Sequence, residues 1–199
     1  DMTFPEITDE KGQKIELTEG NYQSFIKSKD RRVRREAFEA LFNTYKKYQN
    51  TIGTSLNASM KNSVFEAKIR KYSSALEASL KPNNIPLMVY DNALATIEKN
   101  LALLHRYVAI KKKLLGVDSM HMYDLYVPLI DTPADDISFE KGVKIVKEGL
   151  QPLGEEYLSI FEKGVEDGWI DVYENKGKRG GAYSWGSYDS SPYVLLNYN

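Results

Sequence analysis

Ten apolar residues recur between Val33 and Ala67 at steps of 4, 4, 4, 3, 4, 4, 4, 4 and 3: Val33, Ala37, Leu41, Tyr45, Tyr48, Ile52, Leu56, Met60, Val64 and Ala67. That period is one face of an α-helix, and no proline interrupts it. Phe38 and Phe42 lie beside the stripe and widen it. Asp30 can cap the helix, and Gly53 weakens it by about 1 kcal/mol relative to alanine without ending it. A second stripe follows Pro86: Leu87, Tyr90, Leu94, Ile97, Leu101, Leu104, Val108 and Leu115. Lys111, Lys112 and Lys113 suit the negative end of its dipole, and Gly116 is the expected residue past its C-terminus. Shorter helices are expected over Ser73–Leu80, from a Ser138 cap to Leu150, and from about Pro152 to Glu166. The stripes are broad, which favours antiparallel neighbours in a bundle over a dimeric coiled coil.

Both ends read differently. Thr3–Ile7 and Gln13–Leu17 are extended pieces joined by Asp9-Glu10-Lys11-Gly12, a hairpin, and Thr18 can cap a short helix through Tyr22, Phe25 and Ile26. Ser119 to Pro133 looks non-helical, with an extended piece at Met122–Val127. Beyond Trp169 glycine and tyrosine dominate, and Ile170–Tyr173 and Tyr193–Tyr198 read as strands. The fold expected is mainly α: a helical bundle with a short N-terminal hairpin and the first strands of a small sheet. The organisation expected is 1–29 for the hairpin and short helix, 30–168 for the helical region and 169–199 for the strands. The apolar run Tyr193–Tyr198 stops one residue before the final Asn199, which reads as a strand from a larger domain.

Composition narrows the chemistry. The 199 residues include two histidines and no cysteine, and the formal net charge is −1. Disulfides, thiolate metal sites and cysteine nucleophiles are excluded. The charge balance speaks against a generic nucleic-acid or membrane-surface binder. No run of ~18 apolar residues occurs, so no transmembrane helix is expected. The sequence opens at Asp1 with no basic-then-apolar leader, consistent with a cytoplasmic protein.

Three constellations could carry chemistry. His105 sits on a helix and His121 in the loop Met120-His121-Met122-Tyr123-Asp124; neither belongs to an H-E-x-x-H pair, and each reads first as a structural histidine. His121 with Asp124 could contact a metal, but such a pair is common by chance. Arg31, Arg32, Arg34 and Arg35 could meet phosphates, or form a solvated helix face paired with Glu36 and Glu39, the more ordinary outcome. The stretch Lys176-Gly177-Lys178-Arg179-Gly180-Gly181-Ala182-Tyr183-Ser184 is neither a phosphate-binding loop nor a dinucleotide fingerprint. It reads as a flexible hairpin or as small residues that let an extended ligand pair with a strand.

Six stretches, in order along the chain, resemble the oligoendopeptidase F family, zinc metallopeptidases related to thimet oligopeptidase. They are Met2–Ile7; Asp30-Arg31-Arg32-Val33-Arg34; Tyr72–Glu77; Leu104-His105-Arg106-Tyr107; His121–Tyr126; and Gly181-Ala182-Tyr183-Ser184 with Pro192–Tyr198. The resemblance implies a mostly helical parent enzyme with a deep channel between two lobes. It implies a zinc site made by an H-E-x-x-H helix and a downstream glutamate. That helix follows the strand matching Pro192–Tyr198 in relatives, and this sequence contains no H-E-x-x-H.

The expectation is therefore a fragment of an enzyme that hydrolyses short oligopeptides. It would be inactive alone, bind no zinc and pair with the missing C-terminal catalytic segment. No catalytic or metal-ligating residue is assigned. The resemblance assigns the substrate-binding sheet edge to Gly181, Ala182, Tyr183 and Ser184, with a short peptide as partner and no nucleic acid or membrane. The alternatives are a non-catalytic helical module that binds an extended peptide, and a nucleic-acid binder using Arg31–Arg35. An exposed, apolar last strand would also promote self-association.

Overall fold

The computed structural model describes residues 2–130, 137–175 and 177–198. Asp1, Lys176, Asn199 and the expected non-helical residues 131–133 lie outside that set. The chain is mainly α. In order it contains β1 (Glu6–Thr8), β2 (Lys14–Glu16), α1 (Tyr22–Ile26), α2 (Arg31–Lys47), α3 (Gln49–Ile69), α4 (Ala75–Leu80), α5 (Leu87–Leu115), α6 (Phe139–Leu150), α7 (Glu155–Glu166), β3 (Ile170–Tyr173), β4 (Tyr183–Trp185) and β5 (Tyr193–Tyr198). It divides into two compact units, Asp1–Leu41 with Tyr126–Asn199, and Phe42–Leu125.

The first unit begins with the expected hairpin, β1 antiparallel to β2 with Ile7 opposite Ile15. Asp9 sets its turn: one carboxylate oxygen accepts from the Lys11 and Gln13 amides at 2.8 and 2.7 Å, and Gly12 takes φ 81°. Ile7, Leu17, Ile26, Val33, Ala37 and Leu41, from the hairpin region, α1 and α2, are all buried. Polar bonds fix the arrangement. Arg32 donates to the Thr8 and Asp9 carbonyls at 3.0 and 2.8 Å, and Arg34 to those of Ser28 and Lys29 at 2.8 and 2.9 Å. Asp30 caps α2 by accepting from the Arg32 amide at 2.8 Å. The arginine cluster is thus mostly structural: Arg32 also pairs with Glu36, and Arg35 with Glu39.

The same unit carries a three-stranded sheet of order β3-β5-β4, with β5 parallel to β3 and antiparallel to β4. Val194, Leu196 and Tyr198 alternate along β5 toward α6 and α7, lining apolar cavities with Ile170 and Phe161. The Tyr198 hydroxyl donates to the Ile137 carbonyl at 2.8 Å, and its ring meets Phe139 edge-on at 5.7 Å. Ser138 caps α6 as expected, accepting from the Lys141 amide.

In the second unit, α3, α4 and α5 are present, but one expectation fails. The helix expected from Asp30 onward does not run unbroken to Ala67; it divides at Tyr48, whose φ, ψ of −103°, 11° leave the helical region. There the amide bonds three residues back, Tyr48 N to Tyr45 O at 2.9 Å, where the stripe also steps by three. Ser74 caps α4 by accepting from the Glu77 amide, while the Glu77 carboxylate accepts from the Ser73 amide and hydroxyl, a reciprocal cap. Those bonds, the hydroxyl's first, hold the Glu77 carboxyl below its ordinary value.

A further reading is corrected nearby. Met122–Asp124 is a 3-10 turn, not an extended piece, because Asp124 is buried and accepts from the His121 amide at 3.0 Å while His121 O accepts from the Asp124 amide. Lys111, read from the sequence only as a partner of the helix dipole, also has a specific contact: it is 3% exposed and donates to the Leu125 carbonyl at 2.6 Å.

Candidate functional site

β4 is an outer strand. Tyr183, Ser184 and Trp185 pair with Leu195, Val194 and Tyr193, and no described strand pairs with its other side. Of the four expected edge residues, Tyr183 and Ser184 lie on the strand, and Gly181 and Ala182 lead into it. Gly181 holds φ 98°, a conformation that a side chain would strain. Opposite residues of an antiparallel pair share a face, so Tyr183 and Trp185 stand with Leu195 and Tyr193, away from α6 and α7. Trp185 is 72% exposed on that face.

The glycine-rich stretch before β4 is tied down rather than loose. The Lys178 ammonium, on a side chain only 4% exposed, donates to the Asp171 and Tyr173 carbonyls at 3.1 and 2.6 Å and pairs with the Asp171 carboxylate at 3.0 Å. It thereby occupies carbonyls of β3, the other outer strand. Asn197, on central strand β5, donates through its carboxamide to the Arg179 and Gly181 carbonyls at 3.0 and 2.7 Å. Beside these residues opens a cleft of about 460 Å³, lined by Glu19, Gln23 and Lys27 on one side and by Gly181, Ala182 and Asn197 on the other.

The N-terminal turn forms the near wall of that cleft. It is closed by mutual bonds: the Thr18 amide to Asn21 Oδ1 at 2.8 Å, and the Asn21 amide to Thr18 Oγ1 at 3.0 Å. Thr18 therefore caps the turn, and α1 proper starts at Tyr22. The Thr18 hydroxyl also donates to Glu174 Oε1 at 2.7 Å. Burial, with the neighbouring Tyr126 phenol, raises the Tyr22 hydroxyl above its ordinary value.

Sequence reasoning missed Gly20, Glu174, Lys178 and Asn197. Glu174 and Gly20 meet partners across the chain (Thr18 and Glu174 are 156 positions apart), and Lys178 and Asn197 bond carbonyls 5 to 18 positions away through side chains whose aim no local pattern announces.

Among the described residues no three His, Asp or Glu side chains converge to hold a metal. His121 stacks on Tyr123 at 4.9 Å and its ring meets the Ser119 hydroxyl at 3.1 Å. His105 is exposed on α5. No described helix is long and apolar enough to cross a membrane.

The chain is 49% identical over 199 residues to oligopeptidase PepF of Bacillus subtilis, covering all of this chain and 30% of that protein. It is 42% identical over 200 residues to group B oligopeptidase PepB of Streptococcus agalactiae, covering 33% of it. The chain thus spans about a third of the length of these relatives. Among solved structures, oligoendopeptidase-F from Enterococcus faecium matches 83% of this chain and 31% of its own, with TM-score 0.65 and 41% identity. PZ peptidase A, at 19% identity and TM-score 0.77, shares the fold over 98% of this chain and 35% of its own. Residues 24–199 match the profile of peptidase family M3, and the chain belongs to that family.

Proposed function

We propose that this chain is the substrate-side portion of a zinc-dependent oligopeptidase acting on short peptides. On this reading the metal, its ligands and the general base come from sequence beyond these residues. The observation that carries it is β4, an outer strand with one side open and with small residues at its entrance. An extended peptide adding to that side would be held mainly by main-chain hydrogen bonds, so peptides of varied sequence would be accepted. Tyr183 and Trp185 would offer apolar contact to alternate side chains. Covalent steps are left to the absent residues. The exposed apolar stripes of α3 and α5 suit the same reading, since the remainder of a longer protein would cover them.

Alone, the chain should bind an extended peptide weakly, cleave nothing and retain no stoichiometric zinc. The test uses isotope-labelled chain titrated with a fluorogenic octapeptide, followed by amide NMR, with metal content measured separately. Shifts confined to residues 181–185 and an absence of cleavage support the reading. Cleavage by the purified chain, or equimolar zinc, would overturn it.

A further inference from the structure

We infer that the Thr18–Asn21 turn positions the edge strand β4, acting through Gly20, Gly180 and Asn197. The inference rests on the reading of β4 as the substrate-pairing edge. The turn is wedged between two parts of the sheet region, and each contact is made at a glycine. A Cβ on Gly20 would stand 2.5 Å from Glu174 Cγ and 3.0 Å from Asn197 Oδ1. A Cβ on Gly180 would stand 3.2 Å from the Glu19 Cβ and 3.3 Å from its carbonyl carbon and oxygen. Neither glycine has positive φ, so close approach rather than backbone conformation is the constraint: it excludes a side chain at Gly20 and leaves only a tight fit at Gly180.

Asn197 completes the linkage. It stands beside Gly20, and its carboxamide N–H groups hold the Arg179 and Gly181 carbonyls that bracket Gly180. Its Oδ1 is buried and accepts no hydrogen bond among the described residues. A buried carboxamide oxygen without a partner costs free energy. The side chain therefore sits where its two donors are needed, at the expense of its acceptor. The turn itself is rigid, closed by the Thr18 and Asn21 bonds and anchored by Asn21 Nδ2 to the Glu16 carbonyl at 3.0 Å. Its position is transmitted to Gly181, two residues before β4. The same contacts set the walls of the 460 Å³ cleft, so one end of a bound peptide would meet the turn directly.

The test compares Gly180→Ala and Asn197→Ala with the unaltered chain, and Gly149→Ala, whose Cβ would meet nothing within 4 Å, serves as control. Amide deuterium uptake is read segment by segment. In both variants uptake over 181–185 should rise roughly tenfold in rate, with β3, α6 and α7 unchanged. Binding of a fluorescein-labelled hexapeptide of alanine and phenylalanine should weaken by a similar factor. A purely structural role would instead raise uptake across the whole unit or nowhere, and either result overturns the inference. Unchanged peptide affinity despite a loosened 181–185 overturns it as well. If the unaltered chain binds no peptide while both variants loosen 181–185 alone, the substrate-edge reading fails and the positioning of β4 by the turn stands.

Discussion

Val33, Ala37 and Leu41 are 0%, 0% and 6% exposed, whereas Ile52, Leu56 and Met60, from the same periodic stripe, are 44%, 61% and 62% exposed. The residue types and spacing are alike; the partners differ. The first three belong to the unit in which Ile7, Leu17 and Ile26 of the hairpin region and α1 are also buried. The later ones lie on α3, whose 21 residues are long enough to hold a helix through local bonds. An apolar period therefore specifies a helix and the face it would bury, but burial needs a second surface. The two units of this chain differ in how much of that surface they contain.

Substitutions on either side of this divide should differ in cost. The largest effect is expected from Ile26→Ala, which opens the packed first unit at a fully buried site and should cost about 2–5 kcal/mol. Leu56→Ala, chemically the same kind of truncation, should stay within about 0.5 kcal/mol in this chain. Urea unfolding checks both, and equal losses would erase the distinction.

Helix glycines give a pair of opposite sign. A Cβ on Gly164 would stand 2.8 Å from the Trp169 ring, so Gly164→Ala should destabilise by about 1–3 kcal/mol and shift tryptophan fluorescence. Gly53 in α3 meets nothing within 4 Å, so Gly53→Ala should stabilise by about 0.5–1 kcal/mol. Thermal melts monitored by both circular dichroism and fluorescence separate them.

Arginines provide the next comparison. Arg34→Ala removes buried bonds to the Ser28 and Lys29 carbonyls and should cost about 1–3 kcal/mol. Arg35→Ala removes an exposed pair with Glu39 and should cost about 0.5 kcal/mol or less. Similar losses in chemical denaturation would mean that burial does not distinguish them.

The smallest effect is a pH dependence in the second unit. Glu77 is held below its ordinary 4.5 by the Ser73 bonds, so its stabilising contribution is present above that value and lost as pH falls through the lower folded one. Glu77→Gln should weaken α4 at neutral pH and remove this acid sensitivity. Helical circular dichroism between pH 5 and 3 reads the difference.

Much of the local structure is legible in the sequence. The hairpin turn follows from Asp9 and Gly12, α4 from Ser74 and Glu77, and the end of α5 from Gly116, all interactions between residues a few positions apart. The break at Tyr48 was not legible, because the stripe continues across it without a breaker residue. Gly181, Ala182, Tyr183 and Ser184 stand out as small residues before a strand, but their place at the outer edge depends on β5 lying between β3 and β4.

The sequence by itself determined the mainly α character, the helix faces and the family, because periodicity, caps and ordered motifs are local or additive along the chain. Only the tertiary structure decided which apolar faces are covered and which arginines are buried. It also decided that Gly20, Gly180 and Asn197 meet at the entrance to β4. The arginine and hairpin contacts join residues from a few to a few tens of positions apart, and the Gly20–Asn197 approach joins the two ends of the chain; no local pattern names these partners.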